Sequence, residues 1–202
     1  METIVKLAIY GGSFNPPTLN HQQIVTSVAS YFPRTVVVPC STHPFKQGTG
    51  AVARDHRIAM ARLAFTGLEP GVEIDFTDFD RSEGRRAFER QAQYEEQGEV
   101  WHVVGYDLVA GGRNGTSEIQ KKWMHGVRIW AQFNWVVMQR PCAPFMKEDL
   151  PPNHLLLPAV PVERSSTQVR ERVAQGLSIA DFVSPLVAAY IERNSLYCRS
   201  VN

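Results

Sequence analysis

The chain alternates short apolar runs with segments of helical spacing, and the runs do not alternate polar with apolar residues. Thr35 to Pro39 reads TVVVP, apolar through consecutive positions. Such a run suits a strand covered on both faces. Parallel strands need crossovers of a dozen or more residues, usually helices, and those helices do the covering. The expected fold class is therefore α/β: a Rossmann-like, open, mainly parallel sheet with helices on both faces and a helical C-terminal segment.

The remaining elements follow from local pattern. Ile4 to Tyr10 reads as the first strand, ending at Gly11-Gly12. Leu19 to Tyr31 has Ile24, Val28 and Tyr31 at helical spacing. A helix is expected after Asp55, with Ile58, Leu63, Ala64 and Phe65 on its buried side, and Val72 to Phe76 is the third strand. The charged stretch Glu83 to Gln97 reads as an exposed helix. Trp101 to Val104 is a central strand, and Glu118 to His125 is a helix closed by Gly126. Phe133 to Met138 and Leu155 to Leu157 complete the sheet. Two helices end the chain: one capped by Ser165 with Gln168, a capping-box pattern, and one begun by Ser184-Pro185, with Leu186, Ala189 and Tyr190 as its apolar side. No linker divides the sequence, so residues 1–202 are expected to form one domain, completed by the helical part from about 160.

Bulk composition excludes more than it assigns. Lys plus Arg is 21 against 20 Asp plus Glu, a net charge of +1, which gives no broad basic surface for nucleic acid. The cysteines Cys40, Cys142 and Cys198 form no CxxC pair, so neither a zinc site nor a disulfide framework is indicated, and no metal ligands are assigned. No apolar stretch is long enough to span a membrane, and METIVKLAIYGG is too soon interrupted for a signal peptide. A cytoplasmic enzyme or binding protein is expected.

Ligands of open α/β sheets bind beyond the carboxyl ends of the strands. Three segments at strand ends carry the chemistry. Gly11-Gly12-Ser13-Phe14-Asn15-Pro16 allows a tight turn before a helix start, where free amides and the dipole suit phosphate. It is neither GxGxxG nor a P-loop. Thr18 and His21, three apart, can face one ligand. Lys46 in a Pro/Gly-rich loop and Arg57 near a helix start are the next cations, and either could be a solvated or ion-paired surface group. Asp107 ends a strand two residues after Gly105, where it could meet a ribose diol or simply cap a turn. Ser165, Ser166 and Thr167, flanked by Arg164 and Arg170, make a second polar helix start suited to an anion. Trp123 could stack on a flat ring or belong to the core.

Together these residues resemble the nucleotidyltransferase α/β superfamily, and within it the nicotinate or nicotinamide mononucleotide adenylyltransferases. The resemblance spans nearly the whole chain. It rests on GGSFNP at 11–16 followed by Thr18-Leu19-Asn20-His21, on His43-Pro44-Phe45-Lys46, and on His56-Arg57 with Met60. Gly105-Tyr106-Asp107, Trp123, and Ser165-Ser166-Thr167-Gln168-Val169-Arg170 continue it. Departures are Thr18 and Asn20, where many bacterial members have His and Gly. The Ser-Tyr-Thr-x-x-Thr stretch before the Gly-x-Asp strand is also replaced, by Arg81 to Gln97.

The resemblance implies adenylyl transfer from ATP, accompanied by Mg2+, to nicotinate or nicotinamide mononucleotide, in NAD biosynthesis. It implies catalytic roles for His21, Thr18, Lys46 and Arg170. ATP and its phosphates would be held by Gly11, Gly12, Ser13, Phe14, Ser165, Ser166, Thr167 and Asp107. The acceptor would meet Asn15, Arg57 and Trp123, and Lys121, Lys122 and Arg128 favour a carboxylate-bearing ring. The partners are small molecules, with no nucleic acid and no membrane, and a homo-oligomer is allowed. The replaced acceptor stretch keeps two alternatives open: transfer to another phosphate acceptor such as phosphopantetheine, or a non-catalytic nucleotide-binding protein.

Overall fold

In a computed structural model the chain is described over residues 5–41, 52–80, 86–140, 144–160 and 164–198. Lys46 with its neighbours 43–45, and residues 81–85, lie outside these. Six strands, β1 (Lys6–Gly12), β2 (Arg34–Pro39), β3 (Val72–Ile74), β4 (Glu99–Gly105), β5 (Asn134–Met138) and β6 (His154–Leu157), form one sheet in the order β3-β2-β1-β4-β5-β6. Every pairing is parallel. Among the described residues, seven α-helices connect or follow them: α1 (Leu19–Ala29), α2 (Arg54–Phe65), α3 (Ala87–Tyr94), α4 (Glu118–Lys122), α5 (Gly126–Gln132), α6 (Ser166–Ala174) and α7 (Pro185–Arg193).

The apolar runs are buried on both sides, as their lack of alternation requires. Ala8, Val37, Val103 and Val136 face a layer made of α1, α2, α6 and α7. Leu7, Ile9, Val36 and Val100 face the other way, toward Tyr94 of α3, while Val104, Trp135 and Val137 pack against α4 and α5. The chain builds β1, β2 and β3 outward, then returns to place β4 on the other side of β1. The crevice between the carboxyl ends of β1 and β4 is the topological switch point, where open α/β sheets bind ligands.

Four expectations are corrected. Gly126 does not close a helix; it opens α5, and α4 ends earlier, at Lys122. A Cβ on Gly126 would run into the carbonyl oxygens of Ile119 and Gln120, so glycine is needed where the two helices touch. The charged stretch before β4 is a shorter helix, α3, and it is not simply exposed: Tyr94 is buried, and Arg90 reaches inward to Cys40 Sγ at 3.1 Å and Asp78 at 3.4 Å. In α7 the buried face is Val187 and Ile191, whereas Leu186 is 61% exposed. In α1, Ile24 and Val28 are buried but Tyr31 lies outside the helix, on the surface.

Candidate active site

The turn after β1 is built around a buried ring. Phe14 takes φ 42°, an unusual conformation for a bulky residue, and is 1% exposed. Its ring meets Tyr10, His21 and Phe65 edge-on at 5.5, 5.1 and 5.1 Å. A Cβ on Gly12 would stand 2.9 Å from that ring, so the second glycine makes room for it. Phe14 is thus the anchor of the turn, and its side chain is spent on packing.

α1 starts on a capping box formed by two of the expected site residues. Thr18 Oγ1 accepts from the His21 backbone N–H, and His21 Nδ1 accepts from the Thr18 backbone N–H at 2.9 Å and lies 2.8 Å from its hydroxyl. Because Nδ1 accepts from an amide, the neutral imidazole carries its proton on Nε2. His21 lines the β1/β4 crevice. Thr18 is fully buried, and its hydroxyl is engaged with His21 rather than presented to a ligand. The adjoining Leu19 N–H is taken by Phe182 O at 2.9 Å.

Arg57 holds two strand-end loops together. Its guanidinium donates to Ser13 O at 2.8 and 3.2 Å, to Ser41 O at 2.7 Å, and to Cys40 O. Burial pulls its pKa down from the ordinary arginine value. The residue expected at the acceptor is here a brace between the GGSFNP turn and the end of β2.

The second polar helix start docks on the first. Ser166 Oγ donates to Pro16 O at 2.8 Å, and Arg170 Nη1 donates to Asn15 O at 2.8 Å. Arg170 also reaches Thr167 Oγ1 at 3.1 Å. Tyr197 Oη donates to Asn15 Oδ1 at 2.7 Å, so Asn15 is gripped from α6 and from beyond α7. Ser165 is the N-cap of α6 and shares a reciprocal pair of bonds with Gln168. The first amides of a helix have no acceptor within it, so two positive helix ends converge on one glycine turn.

The other expected residues lie on the β4 side. Asp107, exposed at the rim, pairs with Arg140 Nε at 2.9 Å, and a Cβ on Gly105 would run into the Asp107 carboxylate. Arg140 lines the crevice and was not singled out by the sequence, since a lone arginine after a strand has no distinguishing neighbours. Trp123 is half-buried against Trp135, with ring centroids 6.1 Å apart. Lys122 pairs with Glu118 and Arg128 with Gln132 along their own helices, so neither is committed to a ring carboxylate. Among the described residues no three His, Cys, Asp or Glu side chains gather as a metal-ligand set, and no helix is long and apolar enough to cross a membrane.

With this geometry in view, the similarity to known proteins is specific. Residues 9–172 match the family described as cytidylyltransferase-like, a span running from β1 into α6. The chain belongs to the cytidylyltransferase-like family. Within the relatives of this family member is a protein of Roseiflexus castenholzii named probable nicotinate-nucleotide adenylyltransferase, 31% identical and matched over 95% of this chain and 98% of its own. Another of the same name, from Thermus thermophilus, is 27% identical over 96% of this chain and all of its own. The cytidylyltransferase-like fold is shared with a nicotinic acid mononucleotide adenylyltransferase of Plasmodium falciparum, complexed with NaAD. That similarity has TM-score 0.75 at 21% identity and covers 96% of this chain and 97% of the other.

Proposed function

We propose that the protein transfers the adenylyl group of ATP to nicotinate mononucleotide, giving the dinucleotide and pyrophosphate, a step of NAD biosynthesis. One observation carries the reading: the N-terminus of α6, through Ser166 and Arg170, is bonded to the GGSFNP turn beside His21. Two helix starts and a donor imidazole then surround the place where a triphosphate would lie. The names of the full-length relatives favour the nicotinate form of the acceptor.

In this reaction an oxygen of the acceptor's 5′-phosphate attacks the α-phosphorus of ATP. The bond from that phosphorus to the bridging oxygen breaks, and its electron pair leaves with pyrophosphate. The attacking phosphate is already mostly ionised near neutral pH, so no strong base is needed. What the protein supplies is alignment of two anions and stabilisation of charge moving onto the leaving group.

His21 Nε2–H would donate to a phosphate oxygen, held in that tautomer by Thr18. The backbone at Ser13 and Phe14 would approach the transferring phosphate, which Gly11 and Gly12 permit. Ser166, Thr167 and Arg170, with the first amides of α6, would hold the leaving end. Lys46 would bridge the two phosphates, Asp107 would orient the ribose, and Trp123 would stack on the pyridine ring. Magnesium, carried on the triphosphate, would neutralise part of its charge; the described residues offer it no ligand set of their own.

The test is pyrophosphate release with ATP and magnesium, offering nicotinate mononucleotide, nicotinamide mononucleotide and phosphopantetheine separately, with product masses checked. Turnover fastest on nicotinate mononucleotide is expected. Turnover on phosphopantetheine alone, or ATP binding without any product, overturns the proposal.

A further inference from the structure

α3 carries a cation that the groups around it do not use up. Arg90 spends one nitrogen, Nη2, on Cys40 Sγ at 3.1 Å and Asp78 at 3.4 Å. Its Nε is sealed in without a partner. Nη1 makes no hydrogen bond among the described residues and, unlike Nε, is not sealed; the side chain as a whole is 15% exposed. That nitrogen lies over the glycine turn, where a Cβ on Gly11 would stand 2.9 Å from it.

The charges around it do not balance. Arg90 and Arg57 both act on Asp78, whose side chain is fully buried, and among the described residues no second carboxylate acts on either guanidinium. Two guanidinium groups against one carboxylate leave a positive charge unmatched. An unmatched charge in a mostly buried cluster is costly, and an anion arriving at Nη1 would match it.

Which anion follows from the side of the sheet on which Nη1 opens. Successive residues of a strand point to opposite faces. Leu7, Ile9 and Gly11 share the α3 face, whereas Gly12 points the other way, toward Phe14. Phe14 packs on His21, on the side where the starts of α1 and α6 meet. The proposed triphosphate cradle is therefore across the glycine turn from Arg90. An acceptor that attacks ATP keeps its 5′-phosphate at that cradle and can offer Arg90 only its other end, the ring. Phe88, two residues before Arg90, packs in the same cluster as Trp123, the proposed stacking partner of that ring.

We propose that Arg90 is a specificity-determining residue: its Nη1 donates to the carboxylate of the acceptor's ring, so that a pyridine mononucleotide bearing a carboxylate is preferred to one bearing an amide. An amide can accept the hydrogen bond but cannot match the charge. The identity of the acceptor rests on the adenylyl-transfer reading; the open nitrogen and the unmatched charge do not.

Wild type, Arg90→Gln and Arg90→Lys are to be compared on nicotinate and nicotinamide mononucleotide. The readouts are kcat/KM at saturating ATP and calorimetric binding of each mononucleotide, with near-UV dichroism to establish native packing. The wild type is expected to favour the nicotinate form by at least about tenfold, the value of a hydrogen bond to a charged group. Arg90→Gln should bring that ratio to within about threefold, chiefly through a higher KM for the nicotinate form. Arg90→Lys keeps a charge beside Asp78 and should fall between the two. Equal losses on both acceptors would put Arg90 on the phosphate or make it a brace, and overturn the proposal. A ratio unmoved in Arg90→Gln overturns it too, and so does a wild type that treats the two acceptors alike, a result that needs no variant. An Arg90-dependent binding preference without turnover leaves this inference standing and removes the adenylyl-transfer reading. Turnover with a ratio indifferent to Arg90 does the reverse, and binding of neither mononucleotide overturns both.

Discussion

His21 is oriented by its own helix start. The atoms that cap α1 are the atoms that fix the imidazole, so the proposed mechanism couples stability and turnover at Thr18. Thr18→Ala should cost about 1 kcal/mol of stability, the usual value of a lost N-cap, seen as a lower denaturant midpoint. It should also slow turnover, because Nδ1 loses the neighbouring hydroxyl. His21→Ala should slow turnover about 100-fold or more, corresponding to about 3 kcal/mol in the barrier, while the near-UV spectrum stays native. In the double variant the two losses in turnover should not add, since Thr18 acts through His21. Near wild-type turnover in His21→Ala would sink the assigned role. Sequence marked both residues, but as two groups facing one ligand. A threonine that caps a helix and one that faces a ligand look alike in a chain; only the bond to Nδ1 separates them. Arg57 is a similar case. Its partners are backbone carbonyls of Ser13, Cys40 and Ser41, and a carbonyl leaves no mark in the residue pattern.

α4 and α5 meet where neither tolerates a side chain on Gly126. Gly126→Ala should destabilise the fold by about 1–3 kcal/mol, measured by urea unfolding, because the atoms in the way are backbone and cannot swing aside. The sequence placed a single helix over Glu118 to His125 and ended it at Gly126, leaving α5 unread, because a glycine after Lys121, Lys122 and His125 has the composition of a stop signal. Close approach between helices uses the same residue for a different reason. β4 carries a pH dependence of its own. His102 stacks on Phe133 at 4.9 Å with its Nε2 3.0 Å from Gln91 Oε1, and burial, with Arg90 nearby, pushes it down from 6.5 to about 3. The unfolded chain therefore takes up the proton first as pH falls. Stability from this residue is complete above about pH 6.5 and is lost progressively toward about pH 3, at up to about 1.4 kcal/mol per unit. His102→Phe keeps the stack and cannot titrate. Urea unfolding from pH 7 to 5 should show a shallower fall for the variant, and equal slopes would refute the assignment.

The sheet was legible because burial on both faces imposes a pattern that short strands cannot hide. The order of the strands was not read, since it depends on which side of β1 the chain returns to. The candidate site was marked in the sequence as two segments, at 11–21 and 164–170, and what joins them was not: the bonds from Ser166 to Pro16 and from Arg170 to Asn15 link residues 150 and 155 positions apart. The tail is also core. Val169, Val183, Val187 and Ile191 are buried in the layer that covers Val37 and Phe65, and each fully buried aliphatic of this kind contributes about 1.5–3 kcal/mol. A chain cut after residue 160 should lack near-UV dichroism and bind no ATP by calorimetry; a native spectrum and ATP binding in that fragment would contradict this. The same docking has a consequence during synthesis. The glycine turn leaves the ribosome early and must wait for some 150 further residues before its counterpart arrives. Until then the two halves of the proposed nucleotide site stand apart in the growing chain.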